Sequence, residues 1–175
     1  MSCTQTLVGI DVDCGVNIGG IKEMLAQNRN AVTGITVTDG KVTAFTMDAA
    51  APQAAKYSFR KNASGLQKQW TIAEDSGNKF VTSTVNLRFS KMDTSKRVAI
   101  MAMANSEMYV IVKDRNGKYW LLGYDDPVTM TDGTGNTGTQ STDANEYTVV
   151  LTDQSTELPY EVAEAAVATF LNAAS

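Results

Sequence analysis

Apolar residues in this chain recur at every second position in short runs broken by glycine, asparagine and aspartate. That period puts one side of a strand on a core and the other toward water. From Gly34 to Met47, Ile35, Val37, Val42 and Phe45 interleave with threonine around Asp39-Gly40. β-Branched residues fit a pleated surface, and Asp-Gly supplies the positive backbone angles of a tight hairpin turn. Asp48–Ala55 is alanine-rich, contains Pro52 and reads as a loop, after which Tyr57, Phe59 and Lys61 alternate as a strand. Leu66, Lys68, Trp70 and Ile72 lead into a turn at Glu74–Asn78, and Phe80–Phe89 returns with Val81, Val85, Leu87 and Phe89 apolar. Met108–Lys113 reads as a buried strand centred on Val110 and Val112. Asp114-Arg115-Asn116-Gly117 turns it, and Lys118–Tyr124 comes back. Glu146–Leu151 is the final strand.

Other segments depart from period two. Ile21–Asn28 fits both a helical and a strand period, and the preceding Gly19-Gly20 pair is a poor helix start, which favours a strand. A helix is predicted over about 93–105. Asp93, Thr94 or Ser95 can cap its first turn, and the Ala- and Met-rich run that follows has high helix propensity. Val98, Met101 and Ala102 recur at helical spacing, with Ile100 and Met103 widening the face. Leu7–Gly20, rich in Gly, Asp and Asn, reads as an irregular arm with short extended pieces. The polar, glycine-rich stretch 125–145 reads as a long loop of the kind that carries interactions. After Pro159, Glu161–Leu171 reads as a short helix with Val162, Ala165, Ala166 and Phe170 on one face, in need of a partner surface. The pattern as a whole predicts a mainly β (α+β) fold of antiparallel hairpins with one central helix and a short C-terminal helix. Its parts are an arm over 1–20, a single β-rich domain over 21–158 and a C-terminal extension over 159–175.

Composition narrows the chemistry. The 175 residues contain no histidine, the usual general base and commonest metal ligand at neutral pH. Serine–histidine and cysteine–histidine nucleophile systems and the common zinc sites are therefore closed to this chain alone. The formal net charge is -4, and a nucleic-acid binder needs a basic face. The nearest candidate, Lys56, Arg60, Lys61 and Lys68, is scattered along strand-like sequence and reads as a solvated strand face. Cys3 and Cys14 match no zinc or redox spacing and read as reduced thiols. The first residues carry neither a basic nor a long apolar segment, so no signal peptide is expected, and nothing approaches a membrane span.

Each remaining motif has a bland explanation that outweighs the chemical one. Gly133, Gly135 and Gly138 spell a dinucleotide fingerprint, but that chemistry needs a helix beginning inside the motif, and a strand is predicted next. Asn62-Ala63-Ser64 has the glycosylation pattern without the expected secretory context. Asp11 with Asp13, and Asp125 with Asp126, are carboxylate pairs outside any dense ligand loop. The Asp114–Gly117 run lacks the later acidic ligands of a calcium loop and reads as a hairpin turn. Trp70, Tyr119, Trp120 and Tyr124 suit a sugar-binding face, yet on strands such residues more often make cross-strand pairs and core. Met92, Met101, Met103, Met108 and Met130 read as helix-on-sheet packing rather than an adaptable contact surface. No catalytic, cofactor or metal residues are assigned.

The order of arm, hairpins, central helix, hairpin, polar loop, last strand and C-terminal extension resembles the tail-tube (major tail) proteins of tailed bacteriophages, relatives of the tube protein of type VI secretion. The stretches that carry the likeness are Gly19-Gly20-Ile21-Lys22-Glu23, 89–97 (Phe89 to Arg97), 112–123 (Val112 to Gly123), and 147–151 leading to Leu158-Pro159-Tyr160-Glu161-Val162. They look like structural proteins of phages of gut Bacteroidota. The resemblance implies an antiparallel β-sandwich or barrel-like subunit and a non-enzymatic virion protein made in the host cytoplasm. Its copies form six-fold rings that stack with other tail proteins into a hollow tube, and DNA passes without specific binding. It implies no cofactor, membrane or small-molecule substrate. Stacking that does not close on itself makes a filament. The arm, the loop after Asp126 and the tail after Pro159 are then expected at contacts between rings, ordering on assembly. The alternatives are another tail or neck ring component (a terminator or connector) and a carbohydrate-binding β-sandwich module. An enzyme using two converging carboxylates has no local support.

Overall fold

The computed structural model describes residues 6–171. Eleven strands and two α-helices follow the arm: β1 (Ile21–Asn28), β2 (Val32–Thr38), β3 (Lys41–Met47), β4 (Ala55–Ser58), β5 (Gly65–Ala73), β6 (Asn78–Ser90), α1 (Thr94–Ala104), β7 (Met108–Asp114), β8 (Tyr119–Leu122), β9 (Thr129–Asn136), β10 (Glu146–Ser155), β11 (Glu161–Val162) and α2 (Glu164–Leu171). The large sheet has the order β2-β3-β11-β8-β7-β1-β4 and the small sheet the order β5-β6-β10-β9. The fold is a mainly β sandwich of the α+β class.

Two apolar clusters make three layers. Between the sheets, Met24, Val110, Val112 and Leu122 of the large sheet meet Val85, Leu87, Val149 and Leu151 of the small one, with Met103 of α1 closing one end. On the opposite face of the large sheet, Leu25, Val42, Phe45, Ile111 and Leu121 pack on Val167 and Phe170 of α2. The large sheet is thus covered on both sides. This explains why β7 reads as an unbroken apolar run, Met108-Tyr109-Val110-Ile111-Val112, with all five residues buried. Each such side chain withdrawn from water contributes roughly 1.5–3 kcal/mol.

Several sequence expectations hold in detail. The hairpin at Asp39-Gly40 turns with φ of 52° and 73°, the positive angles that this dipeptide tolerates. Ile21–Asn28 is a strand, paired antiparallel with both β4 and β7. Asp93 caps α1 by accepting the Lys96 N–H at 2.8 Å. Bonding to Lys96 holds that carboxyl low, at about 2.

Others are corrected. The stretch 125–145 is not one loop: Thr129–Asn136 is a strand on the edge of the small sheet, paired with β10 from Glu146 to Thr152. Its glycines concealed it, yet they are there for packing. A Cβ on Gly135 would lie 2.9 Å from the Tyr147 ring, and one on Gly133 would lie 2.3 Å from the Met130 methyl. The strand after Pro52 ends at Ser58, and the final long strand runs on to Ser155. Helix α1 buries Met103 and half-buries Ile100, while Val98, Met101 and Ala102, expected on the core face, point outward. Residues 159–171 are no loose extension. β11 inserts between β3 and β8, pairing parallel with the first and antiparallel with the second. The last helix begins at Glu164 and buries Ala166, Val167 and Phe170, leaving Ala165 exposed.

Candidate assembly surfaces

Both sheets are open, so β2, β4, β5 and β9 are edges, and an edge offers unpaired N–H and C=O groups to another strand. On β5 the inward row is Leu66, Lys68, Trp70 and Ile72, facing the same side as Val85, Ser83, Val81 and Lys79 of β6. Leu66 and Lys68 lie under the large sheet, the Lys68 ammonium 3.7 Å from the centre of the Trp120 ring. Burial there pushes the Lys68 amine below its usual range, against the pull of Asp114. Trp70 is 50% and Ile72 59% exposed, although both stand on the core side of their strand.

The small sheet turns a different face outward. There β6 presents Phe80, Thr82, Thr84 and Asn86, and β10 presents Thr148, Val150, Thr152 and Gln154. These positions alternate with the buried ones in the paired register. Gln67, Gln69 and Thr71 continue the row on β5. Within these strands the charges on this face are Asp132 and the Arg88–Glu146 pair, whose Arg88 Nε donates to Glu146 at 3.1 Å.

The arm carries the most fully exposed large apolar side chains among the described residues. Its root is fixed: Ile18 N–H donates to Asn116 Oδ1 at 2.9 Å, Arg115 N–H to the Gly20 carbonyl at 3.2 Å, and Ile21 N–H to the Ser64 carbonyl at 3.3 Å. Gly20 allows the bend with φ of 97°. Outward of this root, residues 6–16 form no regular secondary structure, and Val8, Ile10, Val12 and Val16 are 84–96% exposed. They alternate with Gly9, Asp11, Asp13 and Gly15, a strand pattern lacking a sheet. The density of glycine and aspartate hid this alternation in a reading of the sequence. Counting every second residue from Val8 to Ile18 would have found it.

One buried polar pair lies between the sheets. Asp153 and Ser83 face each other in the β6–β10 register, and Asp153 Oδ2 accepts the Gly123 N–H at 2.8 Å. The other carboxylate oxygen and the Ser83 hydroxyl have no hydrogen-bond partner among the described residues. Burial raises the Asp153 carboxyl above its ordinary value, against the Gly123 bond. A raised folded value favours the protonated acid, so the stability that this group contributes is complete below about pH 4 and is lost as pH rises through the folded value. Asp153→Asn keeps an acceptor for Gly123 and removes the charge. We expect it to raise the urea midpoint at pH 7–8 and leave it little changed near pH 4. A difference between variant and wild type that stays constant across this range would contradict the assignment.

The sequence-derived candidates are dispersed. Lys56 pairs with Glu23 at 3.0 Å, and Lys68 sits on Trp120, so with Arg60 and Lys61 in a turn these four form no basic face among the described residues. Gly133 and Gly135 lie in β9 and Gly138 in the turn that follows, with a strand next. Asp125 is consumed by Ser155 and Thr156, whose hydrogen bonds lower its pKa. Asp13 accepts from Gly15 within the arm. Among the described residues no group of acids and cysteines is placed to hold a metal ion. The four aromatics do not share a surface. Trp70 is on the small sheet. Tyr119 is buried against the α2 layer. Trp120 faces the small sheet with its indole N–H on Asp114, and Tyr124 stacks edge-on with Tyr160. Met103 and Met108 are core while Met101 is half-exposed. Asn62-Ala63-Ser64 belongs to the turn before β5. Cys14 is an exposed thiol in the arm, and Cys3 lies outside the described residues. No helix among the described residues is long and apolar enough to cross a membrane.

These surfaces define the class: a β-sandwich with open edges, a helix layer on one face and an uncovered apolar arm. Comparison with protein-family models, curated proteins and solved structures finds no match for this chain.

Proposed function

We propose that this chain is a tail-tube subunit of the tailed-phage kind, a virion protein whose copies join in rings and stack around a DNA conduit. The observation that carries the reading is the outer face of the small sheet. It is a wall mostly of hydroxyl and amide side chains, with Phe80 and Val150 among them, whose arginine is neutralised by Glu146 and whose other charge is a carboxylate. Such a wall gives phosphates no cationic partner to hold, so DNA slides past it. The net charge of -4 acts in the same direction. Edges β5 and β9 bound this wall on either side, so strands added at these edges from other copies continue it around a lumen. The reading needs no catalytic group, cofactor or small-molecule substrate. Its partners are further copies of the chain and other tail components, with six copies per ring following the resemblance.

Negative-stain electron microscopy of the purified protein over a concentration series, beside light scattering, tests it. Rings or hollow tubes are the expected result. Monodisperse monomer at every concentration would overturn the self-assembling subunit and favour a terminator, a connector or a binding module.

A further inference from the structure

We propose that the arm over 8–18 is a donated β-strand, adding to the β5 edge of a second copy and covering Trp70 and Ile72 there. This rests on the self-assembly reading and specifies the contact it uses.

The donor has the required pattern. Val8, Ile10, Val12, Cys14, Val16 and Ile18 fall on one side of a strand, while Gly9, Asp11, Asp13, Gly15 and Asn17 fall on the other. The acceptor matches it. Added beside β5, the apolar side continues the row of Trp70 and Ile72, and the polar side continues Gln67, Gln69 and Thr71. Backbone bonds give such an addition its affinity and the alternating side chains its register.

The other edges fit less well. β9 presents Thr131, Asp132 and Thr134. β4 has only four residues, one of them in the Lys56–Glu23 ion pair. The apolar residues Ile35 and Val37 of β2 are already packed on the α2 layer.

The occupant is another copy for two reasons. The arm's root touches Ser64, immediately before β5, yet the arm is not paired with its own β5 and stays in solvent. The root and the exposed patch also lie at opposite ends of β5, roughly 23 Å apart at the ordinary strand rise. A donor at one end and an acceptor at the other is the arrangement of a head-to-tail contact, which propagates rather than closes.

The test uses full chains in which both native cysteines are serine. One preparation carries Ile10→Cys and another, of distinguishable mass, carries Ile72→Cys. They are mixed and treated with a short bis-maleimide, and the products are read by mass spectrometry. Linkage between unlike chains through the two introduced thiols is expected. No linkage in the mixture, or linkage within single chains when both substitutions share one chain, overturns the proposal. In parallel, Val8→Asp, Ile10→Asp and Val12→Asp are combined. These side chains are exposed in the single chain, so the thermal midpoint stays unchanged. Each aliphatic side chain lost from a buried contact is worth about tenfold in association, so assembly shifts to about a thousandfold higher concentration. Tubes that persist in this variant at the wild-type concentration sink the arm contact and leave the tube reading intact. Cross-linking that stops at closed dimers upholds the arm contact and removes the tube reading.

Discussion

Phe170→Ala is expected to destabilise the protein by about 3–5 kcal/mol, the range for deleting a buried aromatic ring. Phe170 has no exposed surface, and its ring centroid lies 5.0 Å from that of Phe45 at a 60° tilt. It is the side chain by which an eight-residue helix, too short to persist alone, is held on the large sheet. Its removal opens a cavity beside Phe45 in the cluster that also holds Val42, Leu121 and Val162 of β11. Urea unfolding at constant slope measures the loss, with Thr169→Ala on the exposed side of α2 as a control expected within about 0.5 kcal/mol of wild type. A loss below about 1 kcal/mol for Phe170→Ala would mean that the helix does not form the third layer.

The second large effect is expected at Gly123, where the chain leaves β8 and crosses to the small sheet. Its φ is 89°, and a Cβ there would lie 2.8 Å from the Met108 carbonyl and 3.1 Å from a Val128 methyl. Those neighbours are fixed, because Met108 and Val128 exchange backbone hydrogen bonds of 3.0 and 2.9 Å. The glycine also gives its N–H to buried Asp153 and its carbonyl to Arg29. Gly123→Ala therefore combines about 1–2 kcal/mol of backbone strain with about 1–3 kcal/mol of overlap. Gly40→Ala separates the two: φ there is 73°, but no atom lies within 4 Å of the added methyl, so only the strain applies. Equal losses at both positions, measured by the same unfolding experiment, would show that the crossing can relax around a side chain.

Much of the fold was legible because its signals are local. Asp39-Gly40, Glu74–Asn78 and Asp114–Gly117 each mark a reversal between alternating segments, and all three hairpins form where those residues stand. Asp93 marks the helix start for the same reason, since a cap acts within one turn. The errors have a common source. In β9, Thr and Gly carry no apolar period, and order comes from hydrogen bonds to β10. The buried face of α1 is not legible in its sequence because the helix is apolar on most sides after its first turn. Val98 and Met101 satisfy the helical period as well as Ile100 and Met103 do, and only the position of β9 and the sandwich end decides which side is buried.

The candidate surfaces divide the same way. The polar outer residues of β6 and β10 follow from alternation alone, so the sequence determined a two-faced small sheet, a histidine-free acidic chain and the turn positions. It did not determine that the large sheet is covered twice, because a strand buried on both faces and one buried on a single face differ only in what packs from elsewhere in the chain. The tertiary structure supplied α2 as that cover. It also left Trp70 and Ile72 exposed on the core side of an edge strand, and the arm alternating in solvent. Exposure is a property of what surrounds a residue, and long-range packing decides the surroundings.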